Sequence, residues 1–268
     1  MSMAKVGDIN IEYYVEGEGP PLLMIIGGGG QANSWGEPFL ERLRPHFRIV
    51  RFSNRGTGLT DKPQTEYSIQ MMADDAAGLL AELGIERSHV LGVSMGGLIA
   101  QELVLNQPQA VQGLALGCTN CGPAHSVQPS QEVLALLAST QDLSTEEQFR
   151  QFMSVLVTPE FGDSGKEFMG EMTAALMSTS IETIGRQMMA IQTFDSYDRL
   201  PQIQSPTLII HGDRDVLVPV GNAEVLRKRI GGSQARIAAG AGHCFFWEKP
   251  TESAGTIVEF LSSVPTPA

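Results

Sequence analysis

Basic residues are scarce in this chain. Eighteen Lys and Arg stand against 30 Asp and Glu in 268 residues, a net charge of −12. The densest basic group, Arg227-Lys228-Arg229, reads as the last turn of a helix. Nucleic-acid binding needs clustered cations, so a nucleic-acid partner is excluded. Cysteine is scarce too. Three residues build no disulfide framework. Long hydrophobic runs are missing: Leu22–Ile26 falls far short of the ~20 residues a membrane span needs. The N-terminus leads from Met1-Ser2-Met3-Ala4-Lys5 straight into polar residues, with no apolar stretch of a signal peptide. A cytoplasmic protein with no membrane partner is the expectation. Neither a Walker Lys-Ser/Thr nor an H-E-x-x-H pattern occurs, and no metal or organic cofactor is expected.

What the chain has is glycine: 29 residues, against an average of about 7%. Four stand together at Gly27–Gly30. Hydrophobic residues make up 42%, enough for a sizeable core. Short apolar runs alternate with helical patterns, which predicts an α/β fold with a mostly parallel sheet. Strands are expected near Ile9–Val15, Pro21–Ile26, Phe47–Phe52, Val90–Val93, Val111–Leu116, Thr207–His211 and Gln234–Ala238. Helices are expected near Ser68–Leu83, Met95–Asn106, Val220–Ile230 and Thr251–Ser262. From Pro123 to Leu200 no strand-like run occurs. Helical signals replace it, including the capping-box spacing Ser144-x-x-Glu147. This stretch holds Met153, Met169, Met172, Met177, Met188 and Met189. It reads as a helical insertion, 123–200, between core segments 1–122 and 201–268.

Gly27–Ala32 has G-x-G-x-x-A spacing after a strand. A dinucleotide site needs a helix N-terminus immediately afterwards and an acid at the end of the next strand. Here Gly36 and Pro38 delay the helix to near Pro38, and the next strand ends Arg51-Phe52-Ser53-Asn54. The remaining readings are bare backbone approaching a reacting atom, or a plain loop.

Gly92-Val93-Ser94-Met95-Gly96 matches G-x-S-x-G between a strand and a helix, the setting of a nucleophile elbow. A serine needs a general base, and the base an orienting acid. Of five histidines, His46 and His89 read as surface or packing residues. His125 opens the insertion, and His211 ends an apolar strand. His243 sits in Gly240-Ala241-Gly242-His243, a loop before the final helix, from which a base can reach Ser94. After Thr207–His211 come Asp213 and Asp215, both candidate acids. Cys118 and Cys121 have C-x-x-C spacing, but Gly122-Pro123 follows and favours a turn over a redox motif.

Over essentially its whole length the chain resembles α/β-hydrolase-fold enzymes of the esterase and enol-lactonase type. The resemblance rests on Leu22–Gly30, Asn54–Asp61, Gly92–Gly97, His211–Pro219 and Gly240–Pro250. It implies a Ser94–His243–Asp215 triad, Asp215 being the second acid of H-G-D-x-D. It implies an oxyanion hole from the backbone amides of Gly28 and Met95, and a helical lid at Pro123–Leu200. Arg55 and Asp61 fall in a turn of scaffold type. One departure stands out: the family often has His-Gly where this chain has Ile26-Gly27. Loss of that loop-organising histidine is expected to loosen the loop or shift its pocket.

The expected function is a carboxylesterase acting through an acyl-enzyme on small to medium hydrophobic esters. Other readings are an enol-lactonase, a carbon–carbon bond hydrolase or perhydrolase, or a non-catalytic binding protein of this fold. A lactonase for acidic substrates needs a cation, for which Arg150, Lys166, Arg186 and Arg199 are the candidates. The expected partner is a small-molecule ester or lactone. Sequence leaves the oligomeric state open, a homodimer included.

Overall fold

The computed structural model describes residues 1–139 and 143–265. Residues 140–142 of the expected insertion and 266–268 of the closing core segment lie outside the described residues.

Eight strands form one sheet: β1 Ser2–Val6, β2 Ile9–Glu16, β3 Pro21–Ile25, β4 Arg48–Phe52, β5 Ser88–Val93, β6 Val111–Gly117, β7 Thr207–Gly212 and β8 Gln234–Ala238. Their spatial order is β1-β2-β4-β3-β5-β6-β7-β8. Only the β1–β2 and β2–β4 pairs are antiparallel; β4 to β8 run parallel. The seven expected strands are all present, within about two residues at either end. β1 was not anticipated. It is an edge strand, largely exposed, and its SMAKV sequence carries little apolar signal.

The central strands are apolar at consecutive positions because both faces of the sheet are covered. Their side chains alternate between two cores. Leu23, Ile25, Val90, Leu114 and Ile209 face one core. Leu22, Met24, Leu91, Ala115 and Leu208 face the other. Helices α2 (Ile69–Glu82), α3 (Met95–Asn106) and α9 (Gly221–Arg229) cover the first face. Helices α1 (Glu37–Leu43), α10 (Phe245–Glu248) and α11 (Pro250–Ser262) cover the second. α1 starts beside Pro38, where the sequence delays it, and α9 ends on the expected basic turn.

Among the described residues between β6 and β7 lie five α-helices: α4 (Gln131–Ala138), α5 (Thr145–Leu156), α6 (Pro159–Ser164), α7 (Lys166–Met177) and α8 (Ile181–Gln192). The Ser144–Glu147 capping box is formed, with Ser144 N–H donating to Glu147 at 2.8 Å. Among the described residues no helix is long and apolar enough to cross a membrane.

After β3 the chain moves to one side of the sheet (β4), then returns past β3 to the other (β5). Such a reversal leaves a crevice at the carboxyl ends of the two adjacent strands. Gly27–Gly30 follows β3 and Ser94 follows β5, so the topology itself brings them together.

The elbow also depends on close backbone approach. A methyl group at Gly96 would lie 2.0 Å from the Ile25 carbonyl oxygen, and one at Gly92 would lie 2.2 Å from that of Gly96. Gly96→Ala is therefore expected to destabilise by about 2–3 kcal/mol, a melting-temperature loss of roughly 5–10 °C. Exposed Gly255 on α11 has open space around it, so Gly255→Ala is expected to raise the melting temperature slightly. Scanning calorimetry of both variants checks the contrast.

The packing role expected of His89 is observed. Its ring is 1% exposed and meets Phe47 edge-on. Burial, with Arg87 adding to it, pushes its pKa from 6.5 down to about 4. The neutral form is thus favoured on folding. The stability it lends is complete above pH 6.5 and fades as pH falls from there towards 4. His89→Gln is expected to flatten the fall in melting temperature between pH 6.5 and 4.5; unchanged slopes would contradict this.

Candidate active site

Ser94 stands between β5 and α3 with φ 55° and ψ −123°. Serine rarely adopts this left-handed φ, so the surroundings must enforce it. Its N–H donates to Gly117 O at 2.9 Å. Thr119 Oγ1 donates to its carbonyl at 2.7 Å. The side chain is half-buried and faces a cavity of about 600 Å³.

His243 lines the same cavity and is 4% exposed. Its Nδ1 lies 2.8 Å from Asp215 Oδ2. With Nδ1–H donating to that carboxylate, Nε2 is the bare nitrogen, as a base requires. The loop before it turns at Gly240 (φ +72°) and is braced by Asp213, whose Oδ1 accepts Gly240 N–H at 2.7 Å. The two candidate acids are thus separated. Asp213 is exposed and holds the loop; Asp215 is buried and holds the imidazole.

Asp215 is well supplied with donors. Leu217 and Val218 N–H reach Oδ1 at 2.9 and 2.8 Å. His243 and His211 reach Oδ2, His211 Nε2 at 3.2 Å. Burial alone would raise its pKa, but the two imidazoles outweigh it and hold the carboxyl well below the usual range. His211 is the packed residue the sequence suggests, with Nε2 also 2.7 Å from Val218 O. Its contact with Asp215 was not foreseen, and its buried Nδ1 has no partner.

Gly28 and Met95 both line the cavity beside Ser94. Among the described residues neither amide donates to a protein acceptor. The glycine run forms a turn, Gly30 N–H donating to Gly27 O at 3.2 Å. Two neighbours hold it. Asn54 Nδ2 holds the Ile26 carbonyl at 2.9 Å. From the insertion, Gln187 Oε1 accepts Gly29 N–H at 2.8 Å. Sequence reading missed both of these bonds, which tie the turn to Asn54 and to the insertion.

Phe149, Phe152, Met153, Met172 and Met188 of the insertion line the cavity. Phe161 and Phe168 instead pack against each other, and Phe168 against Trp247. Among the described lining residues none is Lys, Arg, Asp or Glu. Each candidate arginine is engaged elsewhere. Arg150 pairs with Glu146. Arg186 donates to Gln64, and Arg199 makes a two-point contact with Glu102. Lys166 does not line the cavity either.

The scaffold reading of Asn54–Asp61 is matched by its bonds. Arg55 grips Asp75 at 2.7–2.8 Å and reaches Asp8, while Asp61 accepts from Asn10. Cys118, Cys121 and Cys244 are free and buried. Burial pushes the Cys121 thiol up to about 11 and the other two well above their ordinary value. A redox-active C-x-x-C needs the opposite shift.

Residues 20–250 match the family model of the alpha/beta hydrolase fold. The chain is 30% identical over 242 residues to a putative carbamate hydrolase, RutD, of Azorhizobium caulinodans, covering 89% of each chain. An esterase structure from Exiguobacterium antarcticum superposes with a TM-score of 0.85 at 25% identity, over 98% of this chain and 99% of that one. An enol-lactonase structure from Burkholderia xenovorans, at 22% identity, shares the fold with a TM-score of 0.88 over 98% of this chain and all of that one. The continuous match from residue 20 to 250, on an eight-stranded, mostly parallel sheet, shows that the chain belongs to the α/β-hydrolase family.

Proposed function

We propose that this α/β-hydrolase is a carboxylesterase that cleaves neutral esters of small to medium apolar acids through an acyl-enzyme. The observation that carries this reading is the joint placement of Ser94 and the Asp215-bound His243 in one cavity without charged walls. His243 Nε2 takes the Ser94 proton as Oγ attacks the ester carbonyl. Asp215 fixes the imidazole and balances its positive charge. The free amides of Gly28 and Met95 receive the developing oxyanion, each contributing roughly 3 kcal/mol. His243 then protonates the leaving alcohol and activates the water that releases the acid. The insertion acts as a lid and supplies the adaptable apolar acyl pocket. The cavity volume suits a small ligand, for which sites span about 300–1,000 Å³.

The absence of lining charge separates this reading from its neighbours. An acidic enol-lactone, a carboxylated carbon–carbon hydrolase substrate or a carbamate anion would bury a carboxylate without a cation, at a cost of several kcal/mol. A neutral ester meets no such penalty.

A fluorophosphonate probe is expected to add one covalent label by intact mass, and Ser94→Ala to lose it. An unlabelled wild type would sink the activated-serine claim. His243→Ala is expected to lower kcat about 10⁴-fold or more with the circular dichroism spectrum kept; a near-normal rate would refute the base assignment.

Substrate charge gives a separate check. kcat/KM for p-nitrophenyl butyrate is expected to exceed that for p-nitrophenyl hemisuccinate by at least about 10-fold, a modest share of the desolvation cost. Equal or reversed values would exclude a site for neutral esters.

A further inference from the structure

The turn that carries the Gly28 amide is held largely from the insertion. Its ends are closed by Gly30 N–H on Gly27 O. That bond fixes the Gly27–Gly28 peptide plane, which carries the Gly28 N–H on the side opposite the Gly27 oxygen. Gly29, third in the turn, has φ +71°. A turn of this kind requires a positive φ there, and rotating its middle peptide would convert it to another type. The middle peptide is the one whose N–H donates to Gln187 Oε1 at 2.8 Å.

Gln187 is well placed to act as a clamp. It lies on α8 with Thr183 and Ala190, the three buried residues of that helix, and its side chain is wholly buried. Its Nε2 donates at 3.2 Å to the carbonyl of Arg55, itself locked to Asp75. Both ends of the amide are therefore engaged, and its oxygen has one direction to point. The insertion also takes the other side of the same residue: Thr179 Oγ1 donates to Gly29 O at 3.3 Å. From the strand side Asn54 holds the neighbouring Ile26 carbonyl at 2.9 Å, but among the described residues the side-chain bonds on Gly29 itself come from the insertion.

The geometry points to Gln187 as a positioning residue for catalysis: through Gly29 it holds the glycine turn in the conformation that presents Gly28 N–H to the reacting oxygen. The insertion then does more than cover the substrate. Displacing α8 would release the Gln187 bond and leave the middle peptide of the turn free to rotate. The inference rests on the serine-hydrolase reading above.

The test is Gln187→Met, which keeps the length of the side chain and removes both bonds. Steady-state kinetics on p-nitrophenyl butyrate are combined with inhibition by an alkyl trifluoromethyl ketone and by its methyl ketone parent. The fluorinated ketone forms a tetrahedral oxyanion adduct on the serine; the parent only fills the pocket. Removing an oxyanion donor outright costs about 10²–10³ in kcat, and misplacing one should cost less. Expected are a fall in kcat of about 10-fold or more, KM within about twofold and a matching loss of trifluoromethyl ketone affinity. Binding of the methyl ketone should hold. A kcat within twofold of wild type, or equal losses for both ketones, would overturn the role. Should Gln187→Met not fold, Thr179→Val carries the test. It removes only the hydroxyl on Gly29 O, and a fall of about threefold in kcat with the same inhibitor pattern is expected; an unchanged kcat overturns the role. Fluorophosphonate labelling separates the two levels of inference. Wild type that resists labelling refutes the hydrolase reading, whereas wild type and Gln187→Met labelled at equal rates refute only the clamp.

Discussion

The strained backbone of Ser94 is the constraint on which the rest of the structure depends. A left-handed serine persists only where its surroundings over-determine it. Here they do so from the two strands that flank β5. β3 abuts Gly96 through the Ile25 carbonyl, which leaves no room for a side chain. β6 supplies Gly117 O as acceptor for the serine N–H, and the segment after it supplies the Thr119 hydroxyl. The parallel register of β3, β5 and β6 therefore fixes the backbone at Ser94 as well as solving a packing problem. The buried apolar runs of those strands maintain it by filling both faces of the sheet.

The polar groups of the site obey a related rule. A buried carboxylate is costly unless its oxygens are satisfied, and Asp215 meets two backbone N–H groups and two imidazoles. That favours its ionised form beside a cavity lined mostly by apolar residues. Asp213, two residues earlier, spends its side chain on the Gly240 amide, so one acidic motif both orients the imidazole and shapes the loop that carries it. The insertion is tied into the same frame: Cys244 N–H donates to Leu156 O at 2.7 Å, directly after His243.

Much of this was legible in the chain because it rests on local rules. Consecutive apolar residues announced the central strands, G-x-S-x-G between strand and helix announced the elbow, and Gly240–His243 announced a mobile-looking loop that could deliver a base. β1 escaped because an exposed edge strand has little to bury. The role of Asp213 escaped because its partner lies 27 residues away, and that of Gln187 because its partner, Gly29, lies 158 residues away. A glutamine in a helix carries no local signal of such a contact. The substitution at Ile26 was legible as a departure, but its consequence was not. Only the fold shows that Asn54 holds the Ile26 carbonyl and that Gln187 accepts the Gly29 N–H.

The distribution of charge completes the chemical argument. The chain carries 30 acidic and 18 basic residues, yet none lines the described cavity. A neutral ester enters such a site without losing strong hydration. If the proposed ester hydrolysis takes place there, the carboxylate product would find no cation among the described lining residues. It would then be held less well than the substrate, and the net negative chain would oppose its return. On the proposed reading the amides of Gly28 and Met95, both on the cavity wall beside Ser94, would serve the tetrahedral oxyanion rather than the product. Binding that is strong for the transition state and weak for the product is the condition for turnover. Under the proposed function it would follow from uncharged walls and from polar groups concentrated near the serine.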